Sequence, residues 1–396
     1  MIRKLPYTLS PRLFTASLKL FLKLPKPAVK WLLDLSVRLR RSRFEKSHSL
    51  SDLIFFVTNR CNMSCGFCFL SGSLNKNVDA ELTLEEIGLI AARAKGSVDK
   101  VLLTGGEPFI RKDLADIAKA FYSAGGIRKI NVNTNGFYTD RLKEFLDRMI
   151  SDCPEVRLTI QVSIDAPEVI HNRMRGSGEA YGHAVNTLKL LLEYRDRHPQ
   201  ISNVVAGVTL SADNFMHLGE LLAVLRTLGD MMVGINFVRG SHASVGGRPP
   251  CELSENDPSD SHLLTAGQID HVAKTYSAGV DPQSRYFFFE KLVLCMMLQK
   301  KELLVNGWAM CLASWFRCYA GRAFLILYAT GDVALCEMTR SFANIRREDY
   351  NLKSVIGKAR GFDTAACACS HECNLFHTLT CDTKWMMLAF NEDLRF

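Results

Sequence analysis

Three cysteines near the amino-terminal end of the chain have a spacing that could assemble a metal centre. Cys61, Cys65 and Cys68 lie within eight residues, directly after the apolar run 53–57. Thiolates this close in sequence can converge on one metal, but a zinc site of this spacing would need a fourth Cys or His nearby. None follows within the next 80 residues. The spacing favours a [4Fe–4S] cluster with one iron left open to chelate a second molecule, and a zinc or structural thiol site is the alternative.

Polar and glycine-rich segments follow the later predicted strands. They are Gly105, Gly106, Glu107 and Pro108 after the second strand, Thr134 and Asn135 after the third, and Ser163 and Asp165 after the fourth, with Arg175 further on. Adjacent glycines let the backbone approach a ligand closely, although a tight turn would also explain them. The Glu107 carboxylate can accept hydrogen bonds from an ammonium group, and the Arg175 guanidinium suits a carboxylate. His171 fits a hydrogen-bonded loop histidine.

Together these segments resemble the radical S-adenosylmethionine (radical SAM) superfamily, in which an aromatic residue such as Phe67 typically precedes the last cysteine. The resemblance implies that the three cysteines hold a [4Fe–4S] cluster and are the catalytic residues. It implies that the cluster cleaves SAM reductively to a 5′-deoxyadenosyl radical, which removes hydrogen from an unactivated C–H position of a substrate. One departure is Ala166, which stands where the family usually has glycine after the aspartate.

The resemblance also implies a binding site for SAM. The implied cofactor-binding residues are Phe67, Gly105, Gly106, Glu107, Pro108, Thr134, Asn135, Ser163, Asp165 and Arg175. In the family, the loop that matches Gly105–Pro108 binds the amino group of the methionine moiety. A serine and an arginine that match Ser163 and Arg175 hold its carboxylate, and Arg173 is a rival to Arg175.

A second group of cysteines lies near the carboxyl-terminal end. Cys318 and Cys336 frame a short hairpin with Gly331 at its turn, a spacing that resembles the SPASM/Twitch extension of radical SAM enzymes. The resemblance implies an auxiliary iron–sulfur cluster of the [4Fe–4S] type, which assists oxidation or bond formation. Its implied ligands are Cys318, Cys336 and two of Cys367, Cys369 and Cys373, with Cys369 and Cys373 favoured. A zinc site is the alternative.

The elements between the two cysteine groups alternate between strand and helix. Apolar runs at 53–57, 101–104, 129–134, 157–163, 204–210 and 232–237 predict six strands, with helical patterns between them. Six such repeats predict an α/β fold, a partial (β/α)6 TIM-like barrel whose function lies at the carboxyl ends of its strands. We therefore expect a helical arm at 1–50, the barrel at 51–240, a linker and substrate entrance at 241–310, and a small Cys-rich α+β domain at 311–396.

The excess positive charge of the chain lies in the arm. The net charge is +8, yet the first 46 residues alone carry twelve Lys and Arg against two acids, which leaves the rest near neutral. This distribution argues against a nucleic-acid-binding surface on the fold. Two basic amphipathic helical patterns with Trp31 predict peripheral membrane association through residues 1–46, and packing on the barrel or on a protein partner are the alternatives.

The sequence also bears on compartment and partners. Lys19 and Lys23 interrupt the apolar stretch that a signal peptide requires, and thirteen cysteines without a disulfide pattern suit a reducing cytoplasm. We expect a cytoplasmic protein, with the inner face of the membrane as a possible site. The expected partners are a peptide or protein, or else a lipid or isoprenoid-type metabolite, as substrate, and a reduced flavodoxin or ferredoxin-type electron donor. A non-catalytic iron–sulfur carrier or sensor is the alternative function.

Overall fold

A computed structural model describes residues 24–239, 262–306, 317–364 and 372–390, with the backbone alone for 372–374. Six parallel strands form its centre, in the order of the sequence: β1 (Leu50–Thr58), β2 (Val98–Gly105), β3 (Lys129–Thr134), β4 (Arg157–Ser163), β5 (Ile201–Leu210) and β6 (Met232–Phe237). All six predicted strands are present. β3, β4 and β6 have the predicted bounds, whereas β1, β2 and β5 begin three residues earlier.

Helices follow the strands and cover the outer face of the sheet. They are α2 (Leu84–Arg93), α3 (Leu114–Ser123), α4 (Thr139–Asp152), α5 (Glu168–Arg175), α6 (Ala180–Arg197) and α7 (Leu218–Leu228), preceded by α1 (Lys26–Lys46). α2 begins with a capping box, since Thr83 and Glu86 each accept a hydrogen bond from the other's backbone N–H. The sheet does not close, so the fold is the predicted partial TIM-like barrel.

The carboxyl-terminal strands continue the barrel sheet. β7 (Phe324–Leu327) pairs in parallel with β1, and β8 (Asp332–Ala334) and β9 (Ala343–Asn344) follow it in antiparallel order. The predicted hairpin with Gly331 at its turn is therefore present, but it is hydrogen-bonded to the barrel across the expected domain boundary at 311. The first and last parts of the chain thus share one hydrophobic core.

Five further helices follow β6 in the part of the chain that the structure describes. They are α8 (Ala266–Ala278), α9 (Phe287–Asn306), α10 (Leu352–Ala359), α11 (Glu372–Thr380) and α12 (Thr383–Ala389). α9 packs against β6 and against α11 and α12, so it bridges the last barrel strand and the carboxyl-terminal helices. Of the predicted linker and substrate entrance at 241–310, the described residues are 262–306, and they form α8 and α9.

Helix α1 is the described part of the predicted basic arm. Its buried residues are Val29, Leu33, Val37 and Phe44, which form one apolar face of the helix. α1 packs against α12, and Arg41 donates a hydrogen bond to the Cys381 carbonyl at 2.6 Å. Trp31 points away from this contact and is 63% exposed. The first arm helix lies outside the described residues, and no helix of the described ranges is long and apolar enough to cross a bilayer.

Candidate functional site

The loop after β1 presents three cysteine thiols to one cavity. Cys61, Cys65 and Cys68 are half-buried and line the cavity together. The Cys61 N–H donates to the Asn75 side chain at 3.0 Å, and the Cys68 N–H donates to the Cys65 carbonyl at 3.1 Å. Within the described ranges, no three His, Cys, Asp or Glu side chains are placed to hold a single metal ion.

The thiols need a cation to become ligands. Burial raises the pKa of the Cys61 thiol to about 11 and also raises that of Cys65 and Cys68, although Arg175 opposes the shift at Cys65. A bound metal centre deprotonates such thiols by its own charge. Three soft donors at the rim of a shared cavity fit an iron–sulfur cluster with one iron open to the cavity.

The loop after β2 lies directly on the backbone that leads into the cysteine loop. The Gly106 N–H donates to the Thr58 carbonyl at 2.8 Å. A Cβ atom on Gly105 would lie 2.4 Å from the Thr58 carbonyl oxygen, and one on Gly106 would lie 2.1 Å from that of Arg60. Gly105 also has a φ of +133°, which disfavours any side chain. Glycine is therefore required at both positions, and both line the cavity.

Glu107, which the sequence suggests as an acceptor for an ammonium group, is buried and already accepts hydrogen bonds from the protein. Its carboxylate is 1% exposed and accepts hydrogen bonds from Phe109 N–H at 3.0 Å, Thr134 Oγ1 at 2.8 Å and Asn135 N–H at 2.7 Å. Burial raises its pKa to about 7 despite these donors. Glu107 thus ties the loop after β2 to the loop after β3, while Pro108 is buried at the start of a short 3-10 turn.

The loop after β3 in turn contacts the cysteine loop. Asn135 Nδ2 donates to Asn62 Oδ1 at 2.9 Å, and Thr134 and Asn135 both line the cavity. Ser163, at the end of β4, lines the same cavity. The carboxyl ends of four adjacent strands therefore supply the predicted site residues.

Arg175 lies against the cysteines through a buried ion pair. Its Nε and Nη2 atoms each lie 2.7 Å from Asp165 Oδ2, and its Nη1 atom lies 3.8 Å from Cys65 Sγ. The guanidinium also lies over the Phe67 ring, 5.3 Å from its centroid. The rival residue Arg173 is exposed, so the structure brings Arg175 and not Arg173 to the site.

His171 supports the loop that contains Asp165. As predicted, it is a hydrogen-bonded loop histidine. Its Nδ1 atom accepts a hydrogen bond from the Asp165 N–H at 3.0 Å, and Nε2 is buried without a partner. Burial lowers its pKa to about 4, so the ring is neutral. A neutral histidine here holds the backbone of Asp165 without competing with Arg175 for its carboxylate.

Helix α5, which sequence analysis did not predict, positions Arg175 and the cysteine loop together. The carbonyls of Met174 and Arg175 in its last turn accept hydrogen bonds from Gly66 N–H and Ser64 N–H, each at 3.3 Å. Gly176 ends the helix with a φ of +64°. A proline before the first helical residue and a glycine after the last were the signals for this short helix.

Only part of the second cysteine group is described. Cys318 is buried before β7, and Cys336 is half-buried just after β8. Cys367, Cys369 and the side chain of Cys373 lie outside the described residues. The four-cysteine ligand set therefore stays a prediction.

One cavity of about 1750 Å³ joins the predicted residues of the barrel. It is lined by the three cysteines together with Phe67, Gly105, Gly106, Thr134, Asn135, Ser163 and Arg175. Glu107, Pro108 and Asp165 lie behind this surface and support it. One wall of the cavity therefore combines three thiols, the glycine backbone of the loop after β2 and a guanidinium. This combination suits an iron–sulfur cluster that binds the amino and carboxylate groups of an amino acid.

Comparisons with known proteins place this barrel in a family. Residues 55–222 match the family model of the radical SAM superfamily. The GTP 3′,8-cyclase of Haemophilus influenzae (strain PittEE) is 33% identical over 148 residues, which are 34% of this chain and 42% of that protein. The probable GTP 3′,8-cyclase of Methanocaldococcus jannaschii is 26% identical over 183 residues, 46% of this chain and 57% of that protein. The chain thus spans about half the length of these curated relatives.

Solved structures show the same fold over more of the chain. Streptococcus suis SuiB bound to S-adenosylmethionine has a TM-score of 0.54 and 14% identity, covering 82% of this chain and 71% of SuiB. Native anSMEcpe with bound AdoMet has a TM-score of 0.53 and 14% identity, covering 80% and 81%. At such low identity the likeness concerns the fold alone. Residues 55–222, which include the cysteine loop, therefore carry a radical SAM domain.

Proposed function

We propose that this chain is a radical SAM enzyme that abstracts hydrogen from an unactivated C–H position of its substrate. In this proposal Cys61, Cys65 and Cys68 hold a [4Fe–4S] cluster, and SAM binds to its open iron. The observation that carries the proposal is the single cavity that the three thiols share with the Gly105–Gly106 loop and Arg175. An iron–sulfur carrier has no need for such a cavity beside its cluster.

The bound cluster and SAM supply the 5′-deoxyadenosyl radical, and the protein residues hold and orient them. Gly105 and Gly106 let backbone groups approach the methionyl end of SAM. Ser163 and Arg175 hold its carboxylate, and Asp165 fixes the guanidinium in place through its buried ion pair. Glu107 holds the loops after β2 and β3 at a fixed distance from the cysteine loop.

The barrel also encloses the reacting centre. The cavity lies between the curved sheet and α9, whose Phe288, Leu292 and Met296 line it. Apolar walls exclude water from a reactive intermediate and so protect it from side reactions. The protein thereby directs the radical towards a substrate C–H position.

We further propose an auxiliary [4Fe–4S] cluster at the carboxyl-terminal end. Cys318 and Cys336 frame the hairpin of β7 and β8, which the sheet fixes next to β1. The pairing of β7 with β1, the strand that leads into Cys61, supports a second cluster at Cys318 and Cys336 on the same sheet as the first. Four protein ligands from Cys318, Cys336 and two of Cys367, Cys369 and Cys373 would close this cluster for electron transfer.

We propose two substrate classes, a peptide or protein and a lipid-like metabolite. SuiB has been solved bound to the precursor peptide SuiA, which supports a peptide substrate, and the curated relatives are named for GTP. The basic arm and the apolar lining of the cavity support a lipid-like substrate. A reduced flavodoxin or ferredoxin-type protein would supply the electron, and residues 1–46 would bind the inner face of a membrane.

The test uses anaerobic, full-length protein reconstituted with iron and sulfide. We expect about eight irons per chain and 5′-deoxyadenosine after addition of dithionite and SAM. Changing Cys61, Cys65 and Cys68 together to Ala should leave about four irons and no 5′-deoxyadenosine. A matched Cys153→Ala variant, at a buried cysteine of the barrel, should keep the full iron content and the formation of 5′-deoxyadenosine.

Two outcomes would contradict the proposal. Zinc in place of iron would support the structural alternative. A fully loaded cluster without SAM cleavage would support a carrier or sensor. Loss of four irons in a Cys318→Ala, Cys336→Ala double variant, with 5′-deoxyadenosine retained, is expected for the auxiliary cluster.

A further inference from the structure

An ion pair in the wall of the cavity joins two distant parts of the sheet. Arg239 lies two residues after β6, at one edge of the sheet, and Glu337 lies three residues after β8, near the other edge. Arg239 Nη1 pairs with Glu337 Oε2, and the two side chains are only 19% and 9% exposed. Both side chains line the cavity that contains the cysteines. The pair therefore connects two segments that the order of the strands keeps far apart.

The arginine end of this pair lies beside the first cysteine group. The Arg239 guanidinium lies over the ring of Phe69, 4.1 Å from its centroid, and Phe69 directly follows Cys68. Burial raises the pKa of the Cys68 thiol, and the positive charges of Arg175 and Arg239 oppose that rise. The charge of Arg239 thus acts on a sulfur that the proposed function assigns to the first cluster.

The glutamate end lies beside the second cysteine group. Glu337 directly follows Cys336 in the sequence. Burial raises the pKa of Tyr328, and Glu337 and Cys336 add to the rise while Arg239 opposes it. The ion pair therefore has a direction, with its positive end towards Cys68 and its negative end beside Cys336.

Aromatic rings lie between the two cysteine groups. The ring centroids of Tyr328 and Phe56 are 5.2 Å apart, and those of Phe56 and Phe69 are 6.3 Å apart. Phe56 is 2% exposed, so water does not separate these rings. Charges interact more strongly in such apolar surroundings than in water. A change of charge at either end of the ion pair should therefore act on the cysteines next to it.

We propose that the Arg239–Glu337 ion pair sets the reduction potential of the first cluster, with Arg239 favouring the reduced state and Glu337 opposing it. The inference rests on the proposed function, in which a flavodoxin or ferredoxin-type donor loses one electron and the cluster gains it. Reduction adds a negative charge to the cluster, and the potential of an iron–sulfur cluster depends on the charge around it. A nearby cation stabilises the reduced state, and a nearby anion destabilises it.

The test is a redox titration of anaerobic, reconstituted full-length protein, followed by electron paramagnetic resonance. The first cluster is recognised by the change in its spectrum when SAM is added. Arg239→Met should make the ratio of reduced to oxidised first cluster about tenfold lower at a given potential, which corresponds to a midpoint about 59 mV lower for one electron. Glu337→Gln should move the midpoint in the opposite direction.

The opposite signs separate an electrostatic role from a structural one. Removing a positive charge lowers the potential and removing a negative charge raises it, whatever other groups the two side chains contact. An ion pair that only fastened the barrel would give shifts of the same sign in both variants. Arg239→Lys keeps the charge without the planar guanidinium, and it should keep the midpoint of the unaltered protein.

Arg285→Met is the matched control. Arg285 lines the same cavity and also pairs with an acid, since its Nε atom lies 3.0 Å from Asp230 Oδ2. Asp230 precedes the first residue of β6, so this pair lies at the opposite end of the strand from Arg239. The midpoint of the first cluster should not change in this variant. A shift as large as that of Arg239→Met would contradict a local effect of Arg239.

Formation of 5′-deoxyadenosine with excess dithionite is measured on the same samples and separates the two proposals. Normal formation together with an unshifted midpoint in Arg239→Met, or with shifts of one sign in both variants, would overturn this inference alone. Opposite shifts in a protein that does not cleave SAM would overturn the proposed function and leave the role of the ion pair standing.

Discussion

At the residue scale, the ion pair of Arg175 links the cofactor site to the protein core. Asp165 is fully buried, and besides Arg175 it accepts a hydrogen bond from the Thr209 N–H at 2.9 Å. Only a guanidinium can pair with this carboxylate through two nitrogens while a third faces Cys65. Arg175 therefore contributes the planar shape of its guanidinium to the site as well as its positive charge.

Arg175→Lys should separate those two contributions. It keeps the charge but loses the paired hydrogen bonds, so we expect SAM binding to weaken about tenfold and the free energy of unfolding to fall by about 1–3 kcal/mol. Calorimetric SAM binding and urea unfolding measure both effects. Arg173→Lys, on the exposed face of the same helix, should change neither quantity. Equal effects of the two variants would contradict the assignment of Arg175.

Lys129 should weaken the fold at neutral pH. Its pKa is about 8 in the folded protein against an ordinary 10.5, so the folded state binds this proton less tightly than the unfolded chain. The penalty is complete below pH 8 and disappears as pH rises towards 10.5. Lys129→Met should therefore raise the free energy of unfolding by about 1 kcal/mol at pH 7, with a smaller gain at pH 9.5.

Urea unfolding at both pH values tests this dependence on Lys129. Lys143→Met, an exposed position on α4, is the control and should show no gain at either pH. A gain of equal size at pH 7 and pH 9.5 would mean that the cost of burying a charged ammonium group is not the cause.

Residue types and spacing predicted which residues meet at one cavity better than they predicted the contacts that support those residues. The three cysteines, the glycine pair and Arg175 come to one cavity as the motifs implied. The burial of Glu107 was not predictable, because it depends on Thr134 and Asn135, which belong to another strand end. Sequence patterns report ligand-type residues, whereas burial is set by contacts between distant segments.

At the element scale, helix α5 is the part of the barrel that carries the site. Its last carbonyls accept hydrogen bonds from the cysteine loop, and Gly176 ends it in the left-handed region. A Cβ atom on Gly176 would lie 2.3 Å from Ser64 Oγ of the cysteine loop. The end of α5 and the cysteine loop are therefore packed without free space between them.

Gly176→Ala should disturb this contact. We expect a loss of about 1–2 kcal/mol in the free energy of unfolding, because alanine is unfavourable at a φ of +64°. Displacement of Ser64 should also lower the iron content of the first cluster. Gly178→Ala is the matched control, since a Cβ there has no neighbour within 4 Å. A variant that loses stability but keeps all its iron would show that α5 does not position the cysteines.

The strands were predicted well in their apolar parts and poorly at their amino ends. β2 and β5 begin three residues earlier than predicted, with Lys100 and Asn203 facing the cavity. Polar residues inside a barrel break the apolar pattern that marks a strand. The pairing of β7 with β1 was also not predictable, since it joins segments about 270 residues apart. Both failures concern features that build the cavity and its second cysteine group.

At the scale of the whole molecule, α1 has two different faces. Phe44 is 2% exposed, with its ring centroid 5.1 Å from that of Tyr319, and α1 also supplies Leu33 and Val37 to the wall of the cavity. Truncation of the arm would therefore damage the core and the cavity together with any membrane contact. Point variants on the two faces are the cleaner test of peripheral membrane association.

Trp31→Ser changes only the outward face of α1. We expect its binding to phosphatidylglycerol vesicles in flotation to fall about fivefold, because an exposed tryptophan inserts at the membrane interface. Its melting temperature should match that of the unaltered protein, since Trp31 is 63% exposed. Phe44→Ala should do the opposite, losing about 3–5 kcal/mol of stability. If Trp31→Ser leaves flotation unchanged, or if the unaltered protein does not float, α1 serves the core and the cavity wall alone.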